Sequence, residues 1–166
     1  MKKLFLLRHA HTEKNAKDDF HRTLTNEGKD KCKIVANILQ EYISDIDIIF
    51  SSSATRTEQT VQNIIMHSKD AKINIEYERE LYHSSEDRLL QFLHDVFTDY
   101  KSILLVNHNP AISTLGNSLA TNSIDSNYYS DLIQGFSPGS LALYHSDINS
   151  WSELQPYNSK LISFWR

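Results

Sequence analysis

The chain has 166 residues, 40% hydrophobic and 23% charged, with a formal net charge of −4. That length and balance suit one globular domain with a real core. The mildly acidic charge argues against general nucleic-acid binding or adhesion to an anionic membrane, and no apolar stretch is long enough to span a bilayer.

Met1-Lys2-Lys3 ahead of an apolar run imitates the start of a secretion signal, but the run is too short and Arg8-His9 ends it. Leu4-Phe5-Leu6-Leu7 reads instead as a strand buried on both faces, the kind a parallel sheet requires. It runs straight into Arg8-His9-Ala10-His11-Thr12. In open α/β sheets ligands bind beyond the carboxyl ends of strands, so Arg8 and His9 stand where chemistry would. Residues 10–25 are polar and without period. Thr25 then suits the N-cap of a helix whose apolar positions Cys32, Val35, Ile38, Leu39 and Tyr42 share one face. Cys32 has no partner for an internal disulfide and belongs to that apolar face, which points to a reducing compartment and a cytoplasmic protein.

Ile46–Phe50 reads as a second strand, Ser51-Ser52-Ser53 as a hydroxyl-rich turn, and a helix from near Thr55 buries Val61, Ile64 and Ile65. Arg56 lies in its first turn. Lys72–Tyr77 alternates polar and apolar and predicts a third strand, followed by a polar loop over 78–85. A helix is expected from Glu86 to Phe97, with Leu89, Phe92, Leu93, Val96 and Phe97 on one face. Ile103–Val106 is another all-apolar strand and ends at Asn107-His108-Asn109-Pro110. Asn109 suits the cap and Pro110 the first position of a helix that buries Ile112, Leu115 and Leu119. Residues 121–138 are a long polar connection with weak structure signals. Ser140–Tyr144 and Trp151–Gln155 read as two last strands joined by a turn at 147–150. With no repeat, low-complexity tract or linker, residues 1–166 read as one domain. The alternation of strands and helices predicts a three-layer α/β/α sandwich around a mostly parallel central sheet, with an antiparallel strand at its C-terminal end.

This order aims four groups at one sheet edge: Arg8 and His9 after the first strand, Arg56 after the second, and His108 after the strand at 103–106. Fixed guanidinia and imidazoles around one point suit a phosphoryl dianion, which arginine binds bidentately. The helix N-termini after two of these strands add backbone donors and a favourable dipole. Nearby arginines disfavour an imidazolium, so His9 is suited to nucleophilic attack on phosphorus. Arg8, Arg56 and His108 would hold the equatorial oxygens, and Arg22 could fold over to add a third guanidinium.

Leu7-Arg8-His9-Ala10 resembles the strand-end signature of the histidine phosphatase superfamily, which includes phosphoglycerate mutases and acid phosphatases. Alanine stands where the mutases usually have glycine. Ser51–Thr60 resembles the family's second motif, with Arg56 as its phosphate-binding arginine, and Val106-Asn107-His108-Asn109-Pro110 resembles the third. Asp19–Thr25 is similar to a segment of the small SixA-like phosphohistidine phosphatases that ends Asp-Arg-Pro-Leu; it departs at His21 and Thr23 and keeps Arg22. Pro138–Ala142 matches the approach to the final strands loosely. The resemblance spans nearly the whole chain and implies a phosphoglycerate mutase-like fold. By the same resemblance His9 accepts the phosphoryl group, Arg8, Arg56, His108 and Arg22 bind it, and neither metal nor cofactor takes part.

Mutase-type members carry a glutamate after the third strand as general acid. Glu78, Glu80 and His83 are the candidates here, with Glu80 nearest in position, although a loop glutamate is more often simply solvated. A weak acid favours substrates with a good leaving group, such as an N-phosphoryl imidazole. About fifty residues separate Arg56 from His108, and one strand and one helix of ordinary length use roughly half of them. That leaves no room for a capping subdomain and predicts a shallow pocket, suited to a phosphorylated side chain on another protein. The expected partner is a phosphorylated protein such as a histidine phosphotransfer domain. A small-molecule phosphomonoesterase and a phosphate-binding module with little turnover are the alternatives. His11, His21, His67, His83, His94 and His145 read as surface or hydrogen-bonded residues. His9 and His11 form a His-x-His pair of the kind seen in metal-dependent hydrolases, but the other strand ends offer Arg56 and serines rather than further ligands. The sequence sets no oligomeric state, and a monomer is compatible with it.

Overall fold

The computed structural model describes residues 1–68, 73–121 and 127–166. Its strands are β1 (Lys2–Arg8), β2 (Ile48–Ser52), β3 (Asn74–Glu78), β4 (Ser102–Asn107), β5 (Leu141–Ser146) and β6 (Ser159–Trp165). Its helices are α1 (Asn26–Leu39), α2 (Thr55–His67), α3 (Glu86–His94), α4 (Ala111–Leu119) and α5 (Asn127–Ile133). The strands form one sheet in the order β3-β2-β4-β1-β5-β6. β3, β2, β4 and β1 pair in parallel, β5 is antiparallel to β1, and β6 is antiparallel to β5.

The apolar runs of β1 and β4 explain the centre of this sheet. Leu4 and Leu6 of β1 join Ile103 and Leu105 of β4 in a core with Leu89 and Leu93 of α3 and Ile112, Leu115 and Leu119 of α4. Phe5 and Leu7 join Leu104 and Val106 in a second core with Cys32, Val35 and Leu39 of α1 and Val61 and Ile64 of α2. Alternate residues of each strand therefore feed opposite layers, which gives the expected three-layer sandwich. Burial pushes the Cys32 thiol up to about 11, in keeping with a core residue rather than a reactive one.

Thr25 caps α1 as expected, its hydroxyl accepting from the Gly28 amide. Gly28 is a true requirement: a Cβ there would lie 2.2 Å from the His11 carbonyl oxygen, so only glycine lets the helix start this close to the loop.

Several boundaries differ from expectation. β2 runs two residues further than predicted, so Ser51 and Ser52 are buried strand residues rather than a turn. The expected start of β3 at Lys72 lies outside the described residues, as does 122–126 of the 121–138 connection. The described remainder of that connection contains α5, whose Leu132 is buried in the core. α3 ends at His94 rather than Phe97, and Phe97 is 65% exposed. The buried Lys2 ammonium binds the Thr98 and Tyr100 carbonyls and pulls the chain back toward β1. Asn109 does not cap α4: its amide nitrogen donates to the Phe136 carbonyl and its oxygen accepts from Ser113, leaving Pro110 at the cap position.

The predicted strand at Trp151–Gln155 is a correction. Trp151–Glu153 form a 3₁₀ turn capped by Ser150 and Glu153, and the last strand is β6. Positions three apart eclipse in a 3₁₀ turn, so Trp151 and Leu154 bury together. The indole nitrogen donates to the Tyr100 carbonyl at 2.8 Å.

Candidate active site

The topology makes a crevice at the carboxyl ends of β1 and β4. The connection after β1 crosses one face of the sheet through α1, whereas the connection after β4 leaves over the other face through α4. Neighbouring parallel strands whose connections diverge leave a gap where ligands bind. Arg8 is opposite Asn107 in the β1–β4 register, so the next residues, His9 and His108, face each other across that gap with ring centroids 5.2 Å apart.

The resulting cleft has a volume of about 590 Å³ and is lined by Arg8, His9, Arg22, Arg56 and His108, among others. The five residues expected to accept or bind the phosphoryl group are thus brought together. Glu80 is not: it is exposed and lines a separate depression with Glu76, Glu78 and Arg88. Of the three candidates for the acid, His83 alone lines the cleft.

His9 is 7% exposed. Its Nδ1 lies 2.8 Å from the Ala10 carbonyl, which fixes the proton on that nitrogen. Among the described residues nothing hydrogen-bonds Nε2. Burial, opposed by the Ala10 bond and helped by Arg56, Arg8 and Arg22, lowers His9 to about 3. The ring is therefore neutral at neutral pH, with an Nε2 lone pair available. Its seat is built from distant segments. The His9 amide donates to the Asn107 carbonyl, the Ala10 amide to Thr60, and the Gly139 amide to the Arg8 and His9 carbonyls.

Arg56 is 6% exposed and already oriented by three bonds. Nε donates to His108 Nδ1 at 3.2 Å, Nη1 to the Asp19 carbonyl at 2.6 Å and Nη2 to Asp19 Oδ2 at 3.0 Å. His108 Nε2 in turn donates to Ser52 Oγ at 2.9 Å. Both ring nitrogens of His108 are thus engaged with protein partners, and its imidazole braces the Arg56 guanidinium. Burial, then Arg56 and His9, lower His108 to about 2, so it is also neutral. The buried Arg8 Nε has no hydrogen-bond partner among the described residues, an orphan donor beside a cleft suited to an anion.

Asp19 went unremarked as a functional residue in the sequence. Its carboxylate accepts from Arg22 at 3.2 Å, from Arg56, and from the Tyr82 hydroxyl at 2.9 Å. Burial raises this carboxyl, but those bonds and the Arg56 charge outweigh it and hold it at about 2. Arg22 is stretched across its own loop, with further bonds to the Glu13 carbonyl and Thr12 Oγ1. The loop is tied to α2 through the Thr55 amide, which donates to the Phe20 carbonyl, and through Gln59, which accepts from the Leu24 amide. The first α2 amide, expected to be an anion donor, is therefore used by the chain itself. Tyr82, also missed, packs edge-on to Phe20 and lies 5.8 Å below the Arg56 guanidinium. Four cations, Arg8, Lys14, Arg22 and Arg56, against one ionised carboxylate leave the cleft positive. Among the described residues no three His, Cys, Asp or Glu side chains gather into a metal-binding group.

Residues 4–82 match the family model described as histidine phosphatase superfamily (branch 1). The chain resembles a solved candidate phosphohistidine phosphatase SixA from Nakamurella multipartitia, with 25% identity, a TM-score of 0.86, and 99% and 95% of the two chains covered. A SixA candidate from Agrobacterium tumefaciens gives 27% identity, a TM-score of 0.80, and coverage of 99% and 97%. A protein histidine phosphatase SixA solved with tungstate shares the fold at 20% identity, a TM-score of 0.76, and coverage of 98% and 95%. The architecture is the expected phosphoglycerate mutase-like one. No curated protein matches the chain.

Proposed function

We propose, from the match of residues 4–82 to the histidine phosphatase superfamily model, that this chain removes phosphate through a covalent phosphohistidine intermediate on His9, most readily from a phosphorylated histidine on a partner protein. The observation that carries the reading is the state of His9. A neutral ring, with Nδ1 held by Ala10 and Nε2 unpartnered, sits against Arg8 and Arg56 in a buried corner of a positive cleft. Nε2 attacks phosphorus and takes the phosphoryl group; water then releases it as phosphate, splitting one hard step into two. Arg8 supplies its orphan Nε, Arg56 its two remaining N–H donors, and Arg22 a guanidinium from the loop, all aimed at the charge spread over the equatorial oxygens. His108 keeps Arg56 in place. The cations take the part a metal plays in other phosphatases, so turnover is expected without one.

The protein-histidine substrate is supported by the near full-length likeness to the two SixA candidates. A phosphorylated imidazole is a good leaving group, and a histidine phosphotransfer domain would present it on a surface. A cytoplasmic location follows the reading of Cys32.

The test is kcat/KM measured side by side on a phosphohistidine protein, a phosphoserine peptide and a sugar phosphate, with and without EDTA. The phosphohistidine protein is expected to win, EDTA to change nothing, and trapped enzyme to carry an acid-labile, base-stable phosphoryl group that His9→Ala lacks. Full activity in His9→Ala refutes the mechanism. A sugar phosphate ahead by more than about tenfold replaces the substrate.

A further inference from the structure

Phosphoryl transfer from an oxygen ester leaves an alkoxide that must be protonated, and the next step must take a proton from water. Most groups around the cleft cannot do this. Asp19 is ionised, with both carboxylate oxygens spent on Arg22, Arg56 and Tyr82. The Tyr82 hydroxyl is committed as a hydrogen-bond donor to Asp19, and both nitrogens of His108 are bonded. His11 is drawn toward α1, its Nε2 3.7 Å from Glu27. Glu80 faces the other depression.

His83 remains. It lines the cleft, is exposed, and carries no hydrogen bond to its ring among the described residues. Its ring packs on Tyr82 with centroids 3.9 Å apart, and Tyr82 packs on His108 at 5.7 Å, so His83 belongs to the same aromatic wall as the reacting corner. Its backbone is in the left-handed region, φ +59°, where a non-glycine residue is uncommon. Such a conformation at a cleft points to function when the surroundings fix it. Here they do: Ser84 Oγ donates to the Leu81 carbonyl, and Asn107, the last residue of β4, donates to Ser84 Oγ.

We propose that His83 is the proton carrier of this cleft; the proposal rests on the reading of His9 as phosphoryl acceptor. In the first step Nε2 of His9 forms a bond to phosphorus and the ester P–O bond breaks. The leaving oxygen keeps that electron pair and takes a proton from the His83 imidazolium. In the second step water adds to phosphorus while neutral His83 takes its proton. The P–N bond breaks with its electron pair returning to His9, and phosphate leaves with His83 reprotonated for the next cycle. An imidazole can give and retake a proton near neutral pH. The substrate class therefore extends to oxygen monoesters with poor leaving groups.

The experiment compares wild type, His83→Gln and His83→Asn on glycerol phosphate, whose leaving group is an alkoxide, and on 2,4-dinitrophenyl phosphate, whose phenolate needs no proton. kcat/KM reports the first, phosphorylating step. Both variants are expected to lose about 10²-fold on the alkyl ester, the usual worth of a placed acid, and only a fewfold on the dinitrophenyl ester. Asparagine tolerates the left-handed backbone, so His83→Asn separates a lost proton from a distorted turn. Equal losses on both esters, or no loss on the alkyl ester, overturn the proposal. So does a wild type that dephosphorylates phosphohistidine protein but leaves the alkyl ester untouched, and in that case the reading of His9 still stands. Wild-type rates in His9→Ala bring down that reading, and the proposal with it.

Discussion

Replacing Arg56 tests the electrostatic design most directly, because its five N–H donors have separate duties. Three are committed to His108 and to two atoms of Asp19, leaving two for phosphate oxygens. Arg56→Ala removes a preorganised cation from a buried position, a change worth about 10²-fold or more in kcat, or at least about 2.7 kcal/mol of barrier. Arg56→Lys keeps the charge but offers one compact ammonium, which cannot brace His108, hold Asp19 and meet phosphate together. It should lose about tenfold or more in kcat/KM, because a donor displaced from its position costs rate even when its charge survives. Folding should weaken less, by about 1–3 kcal/mol in Arg56→Ala, because Asp19 keeps Arg22 and Tyr82 while His108 Nδ1 loses its donor. A second readout follows the same charge. Burial is the largest influence that holds His108 at about 2 and Arg56 the next, so His108 should titrate at higher pH in Arg56→Ala, visible by NMR. Steady-state kinetics with a phosphate monoester, run well below the melting temperature of each variant, checks the rates. Arg56→Lys within twofold of wild type would refute the reasoning, because charge alone would then suffice.

Gly28→Ala should destabilise by about 1–3 kcal/mol through overpacking against the His11 carbonyl. A helical glycine free of that contact would gain stability instead, and urea denaturation distinguishes the two. His9 and His108 are neutral in the folded protein down to about 3 and about 2, whereas an unfolded histidine takes up a proton near its ordinary value of about 6.5. Between those values the unfolded chain binds more protons, so stability falls as pH drops through this window. The loss is up to about 1.4 kcal/mol for each histidine between about pH 7.5 and 5.5. Urea midpoints unchanged across that interval would show that these rings are not held neutral.

The strand-end groups could be read from the sequence because their cause is local. Leu4–Leu7 and Ile103–Val106 are apolar enough to declare buried strands, and a buried parallel strand must deliver the residues after it to one edge. Thr25 likewise declared the start of α1 through its own hydroxyl. Asp19 and Tyr82 declared nothing, because their roles depend on a loop folding back on α2 and on the turn after β3. Glu80 misled for the same reason. It neighbours His83 in the sequence, yet the 3₁₀ turn at Arg79–Leu81 sends the two to different depressions. Trp151-Ser152-Glu153-Leu154-Gln155 misled because a burial spacing of three can pass for an irregular alternation in so short a run. α5 was missed because Asn127–Ile133 is too short to establish a period.

The seat of His9 has a consequence for how the chain acquires its chemistry during synthesis. Apart from the Nδ1 contact with the neighbouring Ala10 carbonyl, the bonds that hold this corner come from far along the chain: the His9 amide waits for Asn107, and the Arg8 and His9 carbonyls wait for Gly139. The Arg8 guanidinium reaches Phe136 across 128 residues. A ribosome releases the reactive imidazole long before it releases the segments that hold it. A nascent chain halted before Phe136 therefore carries the histidine without its socket, and the first competent cleft forms only when β5 closes against β1.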